Sequence, residues 1–484
     1  MKKVSGRIDL CIVALLLALL VMANAEAQEQ EVKPMDVTVL WGCEAELHGD
    51  LECSGRGGTE GEKKLLWTEG WGSLDEYFVW KVIVPEAGNY KVVITYSCLG
   101  EDGAQYEIVA GDSKVTGRVH QTDGWLPQEW GVLYTSFEEE QLNGTLHLPK
   151  GPVTITLRAT KKPETGEVMN LYTVELTPLA AMDIIASARV RARKMRASTD
   201  WFVDAKYGVA FHWTARTQPQ HGPQKPFCDA VRDFDVNAFA DMVEETGAGY
   251  VLFTSTHAPH WYPAPIKTIE KILPGNTCER DLIGDLANVL YERGLKLILY
   301  YPGGRGGEFG EASGFAKEDK TEYINNFCEI FREIGNRYGN KVAGFWFDFS
   351  PFNVSHHYEP LYKAAKTGNP DRIIAWNGWI QRQPSDFQEY WAGEMVDLGI
   401  PEAHHCKDLQ PHVWIIIDDS WVHGRPDTDI GPPKFTNQQL IEYVKACAKR
   451  DIVVSMNVGI YQDGTVSPAA LKQLRALKEA IRGK

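Results

Sequence analysis

The sequence lacks the spacings that mark common metal and nucleotide sites. None of its nine cysteines stands in a Cys-x2-Cys pair, and no His-Glu-x-x-His or His-x-His pattern occurs. These absences argue against a zinc site. A G-x-G-x-x-G turn is also missing after the first strand pattern of the second half, which argues against a dinucleotide site.

Positive charge is scarce. Lysine and arginine number 50 against 65 aspartates and glutamates, and the formal net charge is -15. An acidic surface repels phosphate backbones, so we expect no nucleic-acid partner. The one basic run lies within residues 180–200, where alanine, arginine and methionine predict a solvated connecting helix.

Long apolar runs are absent beyond the N-terminus. Lys2, Lys3 and Arg7 precede an apolar run over residues 11–21, and the small residues 23–25 follow it. This order predicts a cleaved signal peptide over residues 1–25. We therefore expect an exported protein, periplasmic or secreted, with no integral membrane segment after cleavage.

Eight cysteines remain after that cleavage, three in the first half and five in the second. Because both numbers are odd, complete pairing would need a bridge between the halves. We expect mostly free, buried thiols, with Cys43 and Cys53 as the one candidate disulfide.

Residues 36–179 consist of short alternating segments separated by glycine and proline turns. Many short strands of this kind predict an all-β sandwich, jelly-roll-like. The predicted strands cover residues 77–84, 90–96, 106–110, 144–148, 153–159 and 171–176.

Residues 201–484, after the helical linker 180–200, alternate apolar strands with amphipathic helices. Eight such repeats predict an α/β (β/α)8 TIM barrel, with a doubly wound open sheet as the structural rival. The predicted strands cover residues 207–213, 249–256, 295–301, 342–349, 372–376, 387–391, 413–417 and 452–458. The sixth, 387–391, has the weakest pattern.

Polar and aromatic groups stand at nearly every predicted strand end. Chemistry in such barrels collects at the C-terminal ends of the strands. Imidazoles, indoles, amides and carboxylates suit a neutral, polyhydroxylated ligand, since hydroxyls need donors and acceptors and a sugar face can lie on an indole. The groups in question include His212, Trp213, His257, Tyr301, Trp346, Asp348, Asn377 and Glu394.

Two carboxylates can hydrolyse a glycoside, one ionised and one protonated. Asp348 follows a buried strand, which would hold a nucleophile firmly. Glu394 follows a glycine in a predicted loop, and spacing alone does not favour it over Glu389 or Glu402.

A catalytic metal is the alternative that the strand ends leave open. His212, His257 and Asp348 come from three strands and could bind one, although no helical or hairpin spacing supports it. The glycine-rich residues 303–307 could bind an anion, but a surface loop is the simpler interpretation. We expect no catalytic cofactor.

Motifs in the second half resemble those of the α-L-fucosidases of glycoside hydrolase family 29. Residues 207–213, YGVAFHW, are similar to the family's FGIFIHWG, and residues 294–301, GLKLILYY, to GLKFGLYYS. Further likenesses follow in order through WFD at 346–348, DDSW at 418–421 and MNVG at 456–459, and cover roughly residues 200–484.

The resemblance implies a retaining exo-glycosidase with Asp348 as nucleophile. The segment 389–394, EYWAGE, is similar to the family segment that ends on the acid/base, which implies Glu394 for that role. It further implies sugar binding by His212, His257, Tyr301 and Trp346. An oligosaccharide or glycoconjugate would be the substrate.

Two departures concern recognition of the sugar. The family's second histidine after strand two is Ala258 here, and His260 is its candidate replacement. The family's arginine after strand five is missing from residues 376–379, WNGW, with Arg382 as a weak substitute. The expected substrates are therefore α-L-fucosides or a closely related or modified sugar.

The first half more weakly resembles carbohydrate-binding modules of families 6 and 35, on residues 44–46, 84–90 and 122–125. The resemblance implies Trp67, Trp71 and Trp125 as candidate sugar platforms, with core aromatics as the equal alternative. Such modules often hold calcium, so a structural calcium ion is a possible cofactor there.

Three functions follow from these observations. The first is an exported retaining exo-glycosidase, the second a carbohydrate-binding barrel that no longer catalyses, and the third a metal-dependent hydrolase. The changes at Ala258 and Gly378 motivate the second.

Overall fold

The computed structural model describes residues 29–55, 65–122, 136–304, 307–317, 319–381, 383–395, 397–418 and 420–483. The predicted signal peptide, Trp125 and the side chain of Arg382 lie outside this part. The chain forms two compact units, which meet in sequence between residues 183 and 184. Among the described residues, no helix is both long and apolar enough to cross a membrane.

The first unit is a β-sandwich of two sheets. One sheet has the order β1-β6-β12-β8-β9, with β3 also paired to β6; the other has the order β10-β7-β13-β5-β4, with β11 on β7 and β2 on β13. The strands are β1 Gln30–Glu31, β2 Thr38–Trp41, β3 Glu46–His48, β4 Glu52–Gly55, β5 Leu66–Glu69, β6 Tyr77–Val84, β7 Gly88–Ser97, β8 Gln105–Ala110, β9 Ser113–Arg118, β10 Glu138–Gln141, β11 Leu146–Leu148, β12 Gly151–Lys161 and β13 Asn170–Pro178.

Alternation along the strands builds the sandwich core. In β6 every second residue from Phe78 to Val84 is buried, as strands with one face on a core require. The two candidate sugar platforms within the described residues are also core residues, since Trp67 is 5% exposed and Trp71 0%. Neither indole presents a face to solvent.

The second unit contains seven parallel strands and eleven α-helices in the described part of the chain. The strands are β14 Tyr207–Phe211, β15 Tyr250–Thr254, β16 Lys296–Pro302, β17 Val342–Asp348, β18 Ile373–Trp376, β19 His412–Ile416 and β20 Val453–Asn457. The helices are α1 Met182–Met195, which begins at the unit boundary, α2 Asp200–Ala205, α3 Phe227–Asp233, α4 Val236–Thr246, α5 Lys267–Ile272, α6 Leu282–Glu292, α7 Gly307–Ser313, α8 Thr321–Tyr338, α9 Glu359–Ala365, α10 Asn437–Ala448 and α11 Pro468–Arg482.

The strands form one sheet in the order β18-β17-β16-β15-β14-β20-β19. Side chains on one face of the sheet pack against the helices. Side chains on the other face form a separate buried cluster around Tyr250, Trp346 and Trp414. Local signals start the helices: Asp235 caps α4, and Thr436 forms a capping box with Gln439 at α10.

The predicted sixth strand, 387–391, is not a strand in the structure. Residues 389–395 instead lie as an irregular segment between the edge strands β18 and β19, and we call them the closing segment. On one side, the backbone amide of Glu389 donates a hydrogen bond to the Ile374 carbonyl. On the other side, Gly393 and Met395 form backbone hydrogen bonds with Trp414. Gly393 has φ 61, and its Cβ position lies 2.0 Å from the His412 carbonyl oxygen, so a regular strand cannot continue there.

The basic run of the linker belongs to α1 and the residues after it. Four of its arginines form ion pairs with acidic residues of the second unit, so these charges have partners inside the protein. Arg189 pairs with Asp386, Arg191 with Glu359, and both Arg193 and Arg196 with Asp408.

Two disulfides occur among the described residues. Cys43–Cys53, the candidate from the sequence, is bridged, and so is Cys228–Cys278, which the expectation of mostly free thiols missed. The second pair is 50 residues apart, and only the fold brings it together. Cys98, Cys328, Cys406 and Cys447 are buried and lie outside these two disulfides.

A buried ion pair anchors the closing segment. One Glu389 oxygen accepts from Lys366 Nζ at 2.6 Å and from the Ala197 amide at 3.0 Å, and the other accepts from the Ile374 amide at 2.8 Å. Both side chains are nearly fully buried. Burial lowers the pKa of the Lys366 ammonium, against the opposing effect of Glu389.

We expect Glu389→Ala to lower the free energy of unfolding of the second unit by about 3–5 kcal/mol, because it leaves the Lys366 charge buried without a partner. Glu402→Ala is the matched control, since the Glu402–Arg450 pair is exposed on both sides and such pairs contribute about 0–1 kcal/mol. Urea unfolding followed by tryptophan fluorescence measures both. Equal losses in the two variants would contradict the anchoring role.

Candidate active site

Two carboxylates meet at the C-terminal edge of the parallel sheet. Asp348 is the last residue of β17. Glu394 lies in the closing segment, in a parallel bridge with Trp414 of β19. Both side chains are partly exposed, so they can reach a ligand as well as each other.

The amide of Asn377 joins these two carboxylates. Its Nδ2 donates to Asp348 Oδ1 at 3.1 Å and to Glu394 Oε2 at 2.6 Å. Carboxylates only accept, so the nitrogen of this amide must face them. The two accepting oxygens are therefore no further apart than the sum of these two bonds. The Asn377 backbone amide donates to the Phe347 carbonyl at 2.8 Å and fixes the residue beside β17.

Each carboxylate also accepts from an aromatic side chain. Tyr300 OH donates to Asp348 Oδ2 at 2.6 Å, and Trp379 Nε1 donates to Glu394 Oε2 at 3.1 Å. Sequence reasoning selected neither residue. Tyr300 could have been found from strand parity, because it lies two residues from Ile298 on the side of β16 away from the helices. Trp379 has φ 51, a turn geometry that the sequence does not announce.

Three of the predicted site residues lie in the helix-facing layer instead. Tyr301 packs against Phe327 and Phe331 of α8. The Trp213 indole donates to the Gln462 carbonyl at 3.0 Å within an aromatic cluster. His260 is buried, bonds Tyr301 OH through Nε2 at 3.1 Å and stacks on Phe309.

Trp346 forms part of the buried layer under the carboxylates. Its ring stacks on Tyr300 at 5.4 Å and meets the edge of Trp414 at 4.7 Å, and its Nε1 donates to the Ala392 carbonyl. The residue is 1% exposed. It therefore supports the side chains that surround the carboxylates.

His212 lies beside Tyr300 and His257, and one of its ring nitrogens is an acceptor. Its Nδ1 lies 2.9 Å from Asn457 Oδ1. Because Asn457 Nδ2 donates to the carbonyls of Ser420 and Trp421, its oxygen is the atom that faces the ring, and Nδ1 carries the proton. Burial, together with the nearby His257, lowers the pKa of His212 to about 4. The neutral ring then leaves Nε2 unprotonated.

His257 has the opposite tautomer. Its Nδ1 accepts from the Ala258 amide at 2.9 Å, so Nε2 carries the proton and donates. Burial also lowers the pKa of this ring, and the two imidazole centres lie 6.2 Å apart. The two neighbouring rings therefore carry one acceptor, His212 Nε2, and one donor, His257 Nε2.

Aromatic rings complete the surroundings of His212. The ring stacks on Trp414 at 5.1 Å, and Trp421, which is partly exposed, lies 5.2 Å away. His257 stacks on Tyr300 at 5.9 Å. The site therefore combines apolar ring surface with a small number of directed polar groups, as carbohydrate sites do.

The two other candidates for the acid/base lie elsewhere. Glu389 is held by Lys366 and backbone amides in the anchor described above. Glu402 is exposed and pairs with Arg450 at 3.1 Å. Of the three glutamates, Glu394 alone shares a hydrogen-bond donor with Asp348 in the part of the chain that the structure describes.

The metal alternative receives no geometric support. Within the described ranges, His212, His257 and Asp348 do not bring three ligand atoms within 4.8 Å of one another. His212 Nδ1 is already engaged with Asn457. Catalytic zinc sites have three converging protein ligands, and this trio does not bring three ligand atoms together.

Parallel strands with paired carboxylates at their C-terminal edge are typical of enzymes. Residues 223–481 match a family model that identifies the class as glycoside hydrolase. That model is described as alpha-L-fucosidase and covers more than half of the chain. The chain belongs to the α-L-fucosidase family.

Solved structures that match part of the chain include two bacterial proteins. An unliganded alpha-L-fucosidase AlfC from Lactobacillus casei is 20% identical, with 58% of this chain and 97% of that chain covered and a TM-score of 0.42. An alpha-L-fucosidase from Bacteroides thetaiotaomicron, solved as a trapped covalent intermediate, is 15% identical over 60% of this chain and 77% of that chain, with a TM-score of 0.42. No curated protein matches the chain significantly.

The lowered pKa of His212 predicts a loss of stability on acidification. The unfolded ring binds a proton near pH 6.5 and the folded ring only near about 4, so the contribution is full above about pH 6.5 and declines as the pH falls towards 4. The size is on the order of 3 kcal/mol. Urea midpoints near pH 7 and near pH 4.5 should therefore differ more in the wild type than in His212→Asn. An equal pH effect in both proteins would refute this origin.

Proposed function

We propose that the protein is an exported, retaining exo-glycosidase that hydrolyses α-L-fucosides or a closely related or modified sugar. Asp348 is the nucleophile and Glu394 the acid/base in this proposal. The observation that carries it is the Asn377 amide, which holds both carboxylates at one strand edge.

The reaction proceeds by double displacement. The ionised Asp348 attacks the anomeric carbon while Glu394 gives its proton to the departing glycosidic oxygen, which leaves as an alcohol. In the second step Glu394 takes a proton from water, and the resulting hydroxide displaces Asp348 from the glycosyl-enzyme. Tyr300 OH donates a hydrogen bond to Asp348 and so holds the nucleophile in one orientation.

Retention is supported by the closeness of the two carboxylates. Retaining enzymes keep the groups about 5–5.5 Å apart, while inverting enzymes need about 6.5–9.5 Å to admit a water molecule. Two oxygens bonded to the same amide nitrogen, at 3.1 and 2.6 Å, can be no further apart than the sum of these distances, which is below the inverting range.

Recognition of the sugar falls to His212 and His257 in this proposal. One accepts and one donates, which suits a hydroxyl that gives its proton to His212 and receives one from His257. Ala258 offers no such group, and His260 is occupied by Tyr301. The lost donor favours a sugar that lacks or modifies the hydroxyl that a histidine at position 258 would bind.

The finer fold and the location belong to the same proposal. Backbone bonds from the closing segment to both edge strands favour a closed (β/α)8-type barrel, with that segment in place of the sixth strand. The N-terminal charge and apolar pattern favours export, and the disulfides Cys43–Cys53 and Cys228–Cys278 suit an oxidising compartment.

Asp348→Ala tests the nucleophile. The wild type should release the phenol from an aryl α-L-fucoside with retention at the anomeric carbon, followed by NMR. The variant should lose at least about a thousandfold in kcat, since no glycosyl-enzyme can form. Added azide should then restore turnover and give a fucosyl azide of inverted configuration. Unchanged activity of a folded Asp348→Ala protein would end the assignment.

Glu394→Ala tests the acid role. Leaving groups of low pKa depart without a proton, so attack on a dinitrophenyl fucoside should be nearly unaffected while a phenyl fucoside loses on the order of a hundredfold or more in kcat/KM. Glu402→Ala is the matched control and should leave both rates unchanged. Equal losses on the two substrates would exclude Glu394 as the acid.

A further inference from the structure

We propose that Arg216 is a specificity-determining residue of this site, and that the preferred substrate is an α-L-fucoside whose sugar ring carries a sulfate ester. The inference rests on the proposed function, and it names the modification for which Ala258 leaves space. The roles of Asp348 and Glu394 in the reaction are the same for a sulfated and a plain fucoside.

A fixed turn places Arg216 directly after His212. Residues 214–217 follow β14 and are held by their own threonines. Thr217 Oγ1 accepts from the Thr214 amide at 2.8 Å and donates to the His212 carbonyl at 3.4 Å, and Thr214 Oγ1 accepts from the Arg216 amide at 3.1 Å. Both threonines are buried, whereas Arg216 is exposed. The backbone of the turn is therefore held in place while the arginine side chain reaches solvent.

The Arg216 guanidinium forms no hydrogen bond or ion pair within the described ranges of the chain. The linker arginines differ, since Arg189, Arg191, Arg193 and Arg196 each pair with an acidic residue of the second unit. A guanidinium is a planar fork of N–H donors that binds an oxyanion through parallel hydrogen bonds. Arg216 therefore has its donors available for a ligand.

Arg216 is a neighbour of the second histidine of the site. The rings of His212 and His257 lie 6.2 Å apart, so the turn that follows His212 is also close to His257. Burial is the main cause of the lowered pKa of the His257 ring, and the Arg216 charge lowers this pKa further, against the effect of Asp348. Ala258, the next residue in the chain, is exposed and carries only a methyl group. A positive charge and a small side chain thus adjoin the same imidazole.

The charges around the site favour a sulfate over a phosphate. The neutral rings of His212 and His257 supply no positive charge, so Arg216 contributes the permanent charge beside them. A sulfate ester is a monoanion that a single guanidinium neutralises. A phosphate monoester carries about -1.5 to -2 near pH 7, and the excess negative charge would be repelled by the ionised Asp348.

The hydroxyls and the ester are recognised by different groups. His212 and His257 form hydrogen bonds with hydroxyls of the sugar ring, while Arg216 binds the ester on the hydroxyl that lies towards Ala258. A histidine at position 258 would occupy the space of the ester and would offer a donor to a free hydroxyl instead. The alanine at this position is therefore as important for the specificity as the arginine.

Paired rates on neutral and charged substrates test the inference. The substrates are 4-nitrophenyl α-L-fucoside, its monosulfates at each ring hydroxyl and the corresponding monophosphates. The wild type should have its highest kcat/KM on one of the monosulfates. Arg216→Gln should lower the ratio of kcat/KM for that sulfate over the neutral fucoside by about 10- to 100-fold, because charge-assisted hydrogen bonds are lost. Arg332→Gln, which removes the same charge from an exposed position on α8, should leave the ratio unchanged.

Ala258→His tests the space for the ester. The added imidazole should raise kcat/KM on the neutral fucoside, to which it offers a donor, and lower it on the sulfate, with which it collides. A change of the same sign on both substrates overturns the placement of the ester beside this residue. Circular dichroism verifies the folding of each variant.

The remaining outcomes separate this inference from the function on which it rests. Equal losses on both substrates in Arg216→Gln would mean that the arginine binds a plain hydroxyl, and that result overturns the inference. A wild-type preference for the neutral fucoside, for a monophosphate or for a fucoside sulfated only on its aglycone overturns it as well. Arg216→Lys keeps the charge and should recover part of the ratio, so no recovery would exclude a role for that charge. Absence of wild-type activity on every α-L-fucoside, by contrast, would refute the proposed function itself.

Discussion

A buried carboxylate, Glu389, sets the position of the segment on which the site depends. Glu389 lies where the residues of a strand would form backbone hydrogen bonds. Its side-chain carboxylate replaces one of those bonds by accepting from the Ile374 amide. Lys366 neutralises the charge. Glu394 lies five residues further along this segment, and the bonds of Gly393 and Met395 to Trp414 complete its placement. The acid/base candidate is therefore fixed by an anchor that takes no part in the chemistry.

The site combines ionised groups with neutral ones. Burial keeps His212 and His257 uncharged, and their ring nitrogens are committed to one tautomer each by Asn457 and by the Ala258 amide. The carboxylates receive N–H and O–H donors from Asn377, Trp379 and Tyr300. A neutral hydroxylated ligand suits such surroundings, because these polar groups can form hydrogen bonds with hydroxyls. The rings of Trp414 and Trp421 offer apolar surface.

Several elements were open to prediction because their signals are local. The alternation in β6, the parallel strand pattern and the position of Asp348 at a strand end all follow from residue order. Tyr301 illustrates the limit. Two adjacent tyrosines end a strand that is buried on both sides, so composition does not tell which faces the helices, and a shift of one residue exchanges the faces. Tyr300, the neighbour, contacts Asp348.

The sequence by itself determined the two-part organisation, the identity of the nucleophile candidate and the absence of zinc or nucleotide motifs, because each is carried by residues adjacent in the chain. Only the tertiary structure placed Glu394, and neither Glu389 nor Glu402, beside Asp348, replaced the sixth strand by an irregular segment, and paired Cys228 with Cys278. Those outcomes depend on distances between segments far apart in sequence, and the Asn377 amide, which touches carboxylates 29 and 17 residues away, is the plainest case.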